Sequence, residues 1–195
     1  MRIFVALDID QVIRKRIELF LDGVRGFAPD ARWVRSESLH VTLKFIGNKP
    51  AEEVDAIREV VARIRADIVE IKFRGYGFFP TPKAARVFWL GVDADSRLAL
   101  LAKSVDDVTA TVGVPAEKHA FDPHLTLARR GGGSDAPRRQ KSNGSNQVFQ
   151  RLQERLRALP VPEFGTMTAR EFFVYESQLG RSGPHYTKIA CIELK

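Results

Sequence analysis

One tetrapeptide pattern, His-x-Thr-Leu, occurs twice in this chain and constrains its fold more than any other feature. It stands at residues 40–43 and again at residues 124–127. Both copies lie in runs of strand-forming residues, where side chains at i and i+2 share one face of the strand. An internal duplication would therefore set two similar strands across a pseudo-twofold cleft. The imidazoles of His40 and His124 would then face one pocket.

Chance explains this repeat poorly, because the chain holds only four histidines. Strict alternation predicts that His40 and Thr42 share the cleft face of the first strand, with Lys44 beyond them. It predicts the same for His124 and Thr126 on the second strand. The residues expected on the opposite, core-facing side of the first strand are Val41, Leu43 and Phe45.

Strands and helices are mixed along the chain, with few β-α-β crossovers of uniform length. This favours an α+β fold with largely antiparallel sheets. We expect a single bilobal domain over residues 1–195, with helices packed outside two sheets that line the cleft. Residues 130–146 have little apolar content and predict a surface loop. The predicted strands are 2–8, 32–35, 39–46, 68–76, 85–92, 123–129, 168–176 and 186–193, and the predicted helices are 10–22, 50–66, 96–112 and 147–159.

Composition limits the setting and the partners of the protein. The net charge is +7 and the pI is near 9.8, which favours an anionic partner such as nucleic acid or a nucleotide. The lone Cys191 excludes an intrachain disulfide. No apolar run reaches membrane-spanning length, and Asp8 comes too early for a signal peptide. We expect a cytoplasmic monomer that binds no membrane.

Two imidazoles opposed across a pocket suit an in-line displacement at phosphorus. One can remove a proton from the attacking oxygen while the other protonates the leaving oxygen, since histidine titrates near neutral pH. The hydroxyls of Thr42 and Thr126 could donate to the oxygens that gain charge in the transition state. No metal or other cofactor is required. His119, Asp122 and His124 are close enough in sequence for a metal triad, but Pro123 and the acid–base use of His124 argue against one.

These motifs and their surroundings resemble the 2H phosphoesterase superfamily. The chain is most similar to the bacterial and archaeal RNA 2′,3′-cyclic phosphodiesterases, also called 2′–5′ RNA ligases, and the likeness covers nearly its whole length. The segments that carry it are residues 2–7, 32–34, 39–47, 75–80, 86–92, 121–129, 176–179 and 183–186.

The resemblance implies hydrolysis of an RNA 2′,3′-cyclic phosphate to a 2′-phosphomonoester. It also allows a reversible, ATP-independent 2′–5′ RNA ligation, in which a cyclic phosphate is joined to a 5′-hydroxyl. It implies that His40 is the proton donor to the departing 3′-oxygen and His124 the proton acceptor that activates water. The expected partners are RNA ends with a 2′,3′-cyclic phosphate, including tRNA fragments, or nucleotide cyclic phosphates.

Several neighbours of the motifs are candidate substrate-binding residues. Arg129 and Arg130 could grip phosphate, although alternation from His124 favours Arg130 for the cleft face. Lys44 could meet phosphate or form a salt bridge with an acid. The aromatic candidates for stacking on a base are Phe79, with its neighbour Phe78, and Tyr186. The cations expected to follow an RNA backbone from the loop are Arg138, Arg139 and Lys141.

Three alternatives stay open or are disfavoured by particular residues. An RNA-end-binding module without turnover would not need both His40 and His124. An ATP-dependent ligase needs a nucleophilic lysine, commonly in Lys-x-Asp-Gly, and Phe20 stands at the lysine position before Asp22 and Gly23. Hydrolysis of ADP-ribose 1″,2″-cyclic phosphate would use the same chemistry as RNA hydrolysis and stays open.

Overall fold

The computed structural model describes residues 1–131, 148–180 and 183–195, so nearly all of the predicted loop, with its three cations, lies outside these ranges. The described strands are β1 (Arg2–Leu7), β2 (Ala31–Trp33), β3 (Val41–Asn48), β4 (Val69–Phe79), β5 (Val87–Ala94), β6 (His124–Arg130), β7 (Glu163–Ala169), β8 (Glu171–Gly180) and β9 (Gly183–Glu193). The described α-helices are α1 (Gln11–Val24), α2 (Ala51–Ala62), α3 (Ser96–Ala110) and α4 (Gln150–Arg157).

The strands form two antiparallel sheets, and the predicted α+β class is confirmed. One sheet has the order β3-β1-β8-β9 and the other the order β2-β6-β5-β4-β7. The first motif copy therefore lies on one sheet and the second copy on the other. Helix α1 packs on β7 of the five-stranded sheet, whereas α2 and α3 pack on β9 and β3 of the four-stranded sheet.

Strand β1 shows how the two faces of the four-stranded sheet are used. All residues from Ile3 to Leu7 are buried, as expected for a central strand covered on both faces. Ile3 and the residues that alternate with it enter the large core beneath the helices. Phe4 and Ala6 point to the other face, where they form a small cluster with aromatic residues of β8. That second face lines the cleft.

Both motif strands carry a β-bulge at the same place, three residues after the histidine. The pairing of β1 with β3 passes over Leu43, and the pairing of β5 with β6 passes over Leu127. A bulge adds one residue to one strand and so reverses the alternation of the residues that follow. The fifth residue after each histidine, Phe45 or Arg129, therefore lies on the cleft face. The prediction that Phe45 enters the core is wrong.

Strand β7 is an element that periodicity did not separate from its neighbour. The strand predicted over residues 168–176 joins the end of β7 to the start of β8. Gly165, with a left-handed φ of 109°, interrupts regular alternation near the start of β7. Apolar spacing is therefore a weak guide in this segment.

Across the described ranges, no helix has both the length and the apolar character to span a bilayer.

Candidate active site between the two sheets

Strands β3 and β6 approach each other across the cleft, and the two motif copies meet there. A cavity of about 450 Å³ lies between them. His40 and Thr42 line it from β3 and its preceding turn, and Thr126 and Arg129 line it from β6. None of the described residues that line this cavity is Asp or Glu. The site is therefore electropositive and suited to an anion.

Each motif histidine is held in the same way, by the backbone carbonyl two residues before it. The Nδ1 of His40 lies 2.8 Å from the carbonyl oxygen of Ser38. The Nδ1 of His124 lies 2.8 Å from the carbonyl oxygen of Asp122. A carbonyl only accepts, so Nδ1–H is the donor in both rings. This arrangement leaves each Nε2 available to accept or donate a proton.

His124 shares its strand face with Thr126. The register of β5 and β6 is regular from His124 to Thr126, so these side chains point the same way. His124 is not among the residues that line the main cavity. Its ring packs edge-on against Phe79, with 4.9 Å between ring centroids, and Phe79 in turn stacks on Trp89 at 5.0 Å. The aromatic pair thereby fixes the second imidazole from the side.

His40 lies against an aromatic cluster of the four-stranded sheet. Its ring centroid is 4.7 Å from Phe4 and 5.3 Å from Tyr186. Burial here lowers the pKa of His40 to about 4, and the nearby guanidinium of Arg129 acts in the same direction. The carboxylate of Asp8 opposes this shift. At neutral pH this imidazole is therefore mostly uncharged.

A second cavity of about 370 Å³ lies beside the first, and His40 and Tyr186 line both. Asp8 lines this second cavity, where it accepts hydrogen bonds from Lys188 at 2.6 Å and from Arg14 at 2.7 Å. Although burial acts against it, the hydrogen bond from Lys188 holds the pKa of Asp8 below its usual value. Asp8 is thus a paired anion beside His40.

The predicted substrate-binding role of Lys44 is wrong. The bulge at Leu43 turns Lys44 away from the cleft, and only 2% of the residue is exposed. Its Nζ donates to the carboxylate of Asp106 and, over 3.0 Å, to the carbonyl of Pro115. The Lys44 hydrogen bond also holds the pKa of Asp106 below its usual value. The alternative prediction of a salt bridge with an acid is the one that the structure supports.

The two arginines after the second motif take different positions. Arg129 lines the main cavity, whereas Arg130 is not among its lining residues. Alternation favoured the reverse, and the bulge at Leu127 is the physical reason for the difference. Arg129 also lowers the pKa of Tyr186 while burial raises it, so this guanidinium acts on both Tyr186 and His40.

The aromatic candidates separate into site and core. Tyr186 lines both cavities and packs edge-on against His40. Phe79 is half-buried beside His124, as described above. Phe78 is buried and stacks on Phe88 with 5.0 Å between centroids, so it belongs to the core.

Sequence reasoning missed several residues that line the main cavity. Phe45 is 49% exposed there, and the guanidinium carbon of Arg2 lies 4.9 Å from its ring centroid. Arg32 and Arg35 also line the cavity, from β2 and the turn after it. The dense arginines around Trp33 were a signal in the sequence, but nothing in a linear pattern shows that β2 pairs with β6.

The described residues contain no group of three or more His, Cys, Asp or Glu side chains placed to hold a metal ion. His119, one member of the triad considered from sequence, is exposed in the turn before β6.

Comparison with known proteins identifies the relatives of this architecture. The family model described as the 2′-5′ RNA ligase superfamily matches residues 13–164. An RNA 2′,3′-cyclic phosphodiesterase of Archaeoglobus fulgidus is 31% identical over 193 residues, which are 99% of this chain and 100% of the relative. One of Methanothermobacter thermautotrophicus is 31% identical over 195 residues, with 99% and 98% covered.

Solved structures share the whole fold. The crystal structure of E. coli LigT complexed with 3′-AMP is 26% identical, has a TM-score of 0.76 and covers 99% of this chain and 97% of that one. A crystal structure described as a phosphoesterase has a TM-score of 0.77 at 26% identity, with the same shares covered. The likeness extends over both sheets and the cleft between them.

Proposed function

The chain belongs to the 2′-5′ RNA ligase superfamily, the 2H phosphoesterases, and is an RNA 2′,3′-cyclic phosphodiesterase like its curated relatives; we propose that it hydrolyses these ends to 2′-phosphomonoesters with two histidines and no metal ion. The observation that carries this proposal is the matched pair of imidazoles. His40 and His124 have the same tautomer, set by the same carbonyl contact, and a threonine on the same face two residues later.

The proposed reaction is a single in-line displacement. The Nε2 of His124 accepts a proton from water while the water oxygen forms a bond to phosphorus. The bond from phosphorus to the 3′-oxygen breaks, and the Nε2 of His40 donates its proton to that oxygen. Thr42 and Thr126 donate hydrogen bonds to the non-bridging oxygens, which gain charge in the transition state, and Arg129 neutralises that charge. Solvent then restores the protons.

The lowered pKa of His40 has a consequence for its role as donor. Without a bound anion this imidazole is mostly neutral at pH 7, so its proton must arrive with the substrate. An anionic phosphate beside Nε2 favours the charged form and raises the pKa. Binding of a 2′-phosphate product should therefore take up protons from solution at pH 7, and calorimetry in buffers of different ionisation enthalpy measures that uptake.

The proposed activity is tested with a short oligoribonucleotide that ends in a 2′,3′-cyclic phosphate, in the presence of EDTA. We expect a 2′-phosphate as the product, since His40 protonates the 3′-oxygen. Exclusive formation of the 3′-phosphate, or a requirement for an added divalent metal, would contradict the proposal. Absence of turnover with intact binding would favour an RNA-end-binding module.

The separate roles of the two histidines are tested with a substrate whose departing 3′-oxygen is replaced by sulfur. A thiolate leaves without a proton donor, so this substrate should restore much of the activity of His40→Ala but not that of His124→Ala. Restoration of the His124 variant alone would exchange the two roles.

The same displacement with a different nucleophile would give ligation. His124 would then activate the 5′-hydroxyl of a second RNA in place of water, and no ATP would be consumed. A radiolabelled RNA with a cyclic phosphate end, mixed with an excess of RNA bearing a 5′-hydroxyl, should yield a 2′–5′ linked product that resists nucleases specific for 3′–5′ linkages.

A further inference from the structure

Two arginines of the cleft stand directly opposite each other on neighbouring strands. Strand β2 pairs with β6 in antiparallel register, and Arg32 is the partner of Arg129. Directly opposed residues of such a pair project from the same face of the sheet. Both side chains line the main cavity and both residues are exposed. Two guanidinium groups are thus held side by side at the edge of the five-stranded sheet.

No acidic side chain in the described part of the chain balances this pair. Within the described part of the chain, neither Arg32 nor Arg129 has an ion-pair partner, and no acidic side chain lines the cavity they share. Like charges placed directly opposite each other in a sheet are unfavourable. An anion bound between or beside them would remove this repulsion. The two guanidinium groups can therefore bind more negative charge in the cleft than one arginine could.

We propose that Arg32 forms a second phosphate subsite, which binds the phosphate on the 5′ side of the nucleoside that carries the cyclic phosphate. This subsite rests on the proposed function, because it assigns the reacting phosphate to the histidines and Arg129. It makes an oligoribonucleotide, or a nucleotide with a 5′-phosphate, a better substrate than a nucleoside 2′,3′-cyclic phosphate.

The different roles of Arg129 and Arg32 in binding two phosphates follow from their positions. Arg129 acts electrostatically on His40 and Tyr186, so it lies near the reacting phosphate. Arg32 lies one strand further towards the sheet edge, a step of about 4.8 Å. A cyclic phosphate closes the 3′ end of the chain, so the next phosphate of the substrate can only be the one on its 5′ side.

The test compares three substrates that differ only on the 5′ side: adenosine 2′,3′-cyclic phosphate, its 5′-phosphorylated form and the dinucleotide ApA with a 2′,3′-cyclic phosphate. For Arg32→Met we expect kcat/KM on the two phosphate-bearing substrates to fall by about tenfold to a hundredfold, the range of a hydrogen bond to a charged group. The value for adenosine 2′,3′-cyclic phosphate should change less than about twofold. The matched control is Arg63→Met, which removes an exposed arginine at the end of α2, outside the cavity.

Salt provides a second readout. The kcat/KM of the wild-type protein should decrease more steeply with salt for ApA than for the nucleoside, by about 0.7 in logarithmic slope for one additional bound phosphate. Arg32→Met should remove this difference and Arg63→Met should keep it. An equal reduction on all three substrates would place Arg32 at the reacting phosphate and overturn the subsite. A reduction restricted to ApA would mean that Arg32 touches the second nucleoside instead of the phosphate, which also contradicts it.

The binding measurement separates this subsite from the proposed activity. Fluorescence anisotropy with the 2′-phosphate forms of the same three compounds requires no turnover. If the wild-type protein hydrolyses none of the substrates, the proposed function fails. Tighter binding of the two compounds with a 5′ phosphate, abolished in Arg32→Met, would still support the subsite. Equal affinity for all three compounds would overturn it.

Discussion

The backbone carbonyls of Ser38 and Asp122 each accept a hydrogen bond from a motif histidine and orient its ring. In many hydrolases a carboxylate orients the histidine in this way. The two carbonyls fix the tautomer and the ring orientation without adding a negative charge beside the imidazole. For His40, the contact with Ser38 and the carboxylate of Asp8 both raise the pKa, but burial outweighs them. The ring lies among aromatic side chains, and its pKa falls to about 4 because burial disfavours the charged form.

Removal of either imidazole should abolish most turnover and leave the fold intact. We expect His40→Ala and His124→Ala each to lower kcat by at least about 10²-fold, the lower end of what general acid or base catalysis contributes. His119→Ala is the matched control, because that histidine is exposed before β6. Kinetics are compared with circular dichroism spectra of each variant. A kcat near the wild-type value in either motif variant would contradict the two-histidine mechanism.

The threonines should contribute to rate more than to stability. Thr42 and Thr126 line one cavity from opposite sheets, so their hydroxyls can reach one phosphoryl group. Removal of a donor to a developing oxyanion costs about 10²–10³-fold in kcat, and we expect a reduction of this order for each Thr→Val variant. The melting temperature and the shape of the pH–rate profile should change little. An unchanged kcat with a lowered melting temperature would assign these hydroxyls to the sheet.

The lowered pKa of His40 makes stability depend on pH in a defined direction. An unfolded chain protonates this histidine near its ordinary pKa of 6.5, but the folded protein does so only near 4. Between these values the unfolded chain binds more protons, so the free energy of unfolding must decrease as the pH falls from about 6.5 to about 4. Urea unfolding at pH 7 and pH 4.5 should show a smaller decrease for His40→Asn than for the wild-type protein. His119→Asn should behave like the wild type, and equal decreases in both variants would exclude His40 as the cause.

At the scale of elements, the bulges decide which side chains reach the substrate. Most strands, the α+β class and the placement of the two motif copies on two strands could be predicted, because apolar spacing and the repeated tetrapeptide are properties of the sequence. Strand β7 was not separated from β8. The bulges at Leu43 and Leu127 could not, since each arises from pairing with a distant strand. Alternation consequently misplaced Lys44 and Phe45 and favoured Arg130 over Arg129. The same bulge in both halves is consistent with a duplication that copied pairing as well as residue types.

Lys44 should matter for stability and not for catalysis. Lys44→Met leaves the carboxylate of Asp106 without the ammonium group that balances it, at a position that is largely covered. We expect the free energy of unfolding to decrease by about 1–3 kcal/mol, the cost of removing a hydrogen bond to a charged group. The kcat/KM should stay within about twofold of the wild-type value. Adding Asp106→Asn should recover part of the stability, and a large reduction of kcat in the folded Lys44 variant would return this residue to the active site.

At the scale of the whole molecule, helix packing joins the two sheets into one unit. Helix α1 follows β1 of the four-stranded sheet but packs on β7 of the five-stranded sheet. Helix α3 follows β5 of the five-stranded sheet but packs on β3 of the four-stranded sheet. A continuous core of buried residues extends through both sheets as a result. The cleft is therefore held between layers that share a core, which favours fixed positions for the two motif strands. Chain order by itself does not reveal this exchange, because it says nothing of which sheet a helix packs on.

The charge of the whole molecule leads to the last prediction, which concerns the basic segment after β6. Arg138, Arg139 and Lys141 are three of the 31 Lys and Arg residues that give the chain its net charge of +7, and they follow the strand that carries His124 and Arg129. We expect replacement of all three by glutamine to leave kcat/KM for adenosine 2′,3′-cyclic phosphate within about twofold. For a ten-nucleotide RNA with the same end, the logarithmic salt slope should become shallower by about 0.7 for each RNA phosphate that the segment no longer binds.

The control for this experiment removes three cations outside the cavity, in the variant Arg58→Gln, Arg63→Gln, Lys103→Gln on α2, its end and α3. It lowers the net charge by the same amount, so an effect of overall charge would appear equally in both triple variants. A local interaction would appear only in the segment variant, and only with the long substrate. A dinucleotide already places a phosphate in the Arg32 subsite. The effect of Arg32 is therefore expected with a dinucleotide, whereas the effect of the basic segment is expected only with the ten-nucleotide RNA. Equal salt slopes in the wild type and the segment variant would show that these three cations do not touch the RNA backbone.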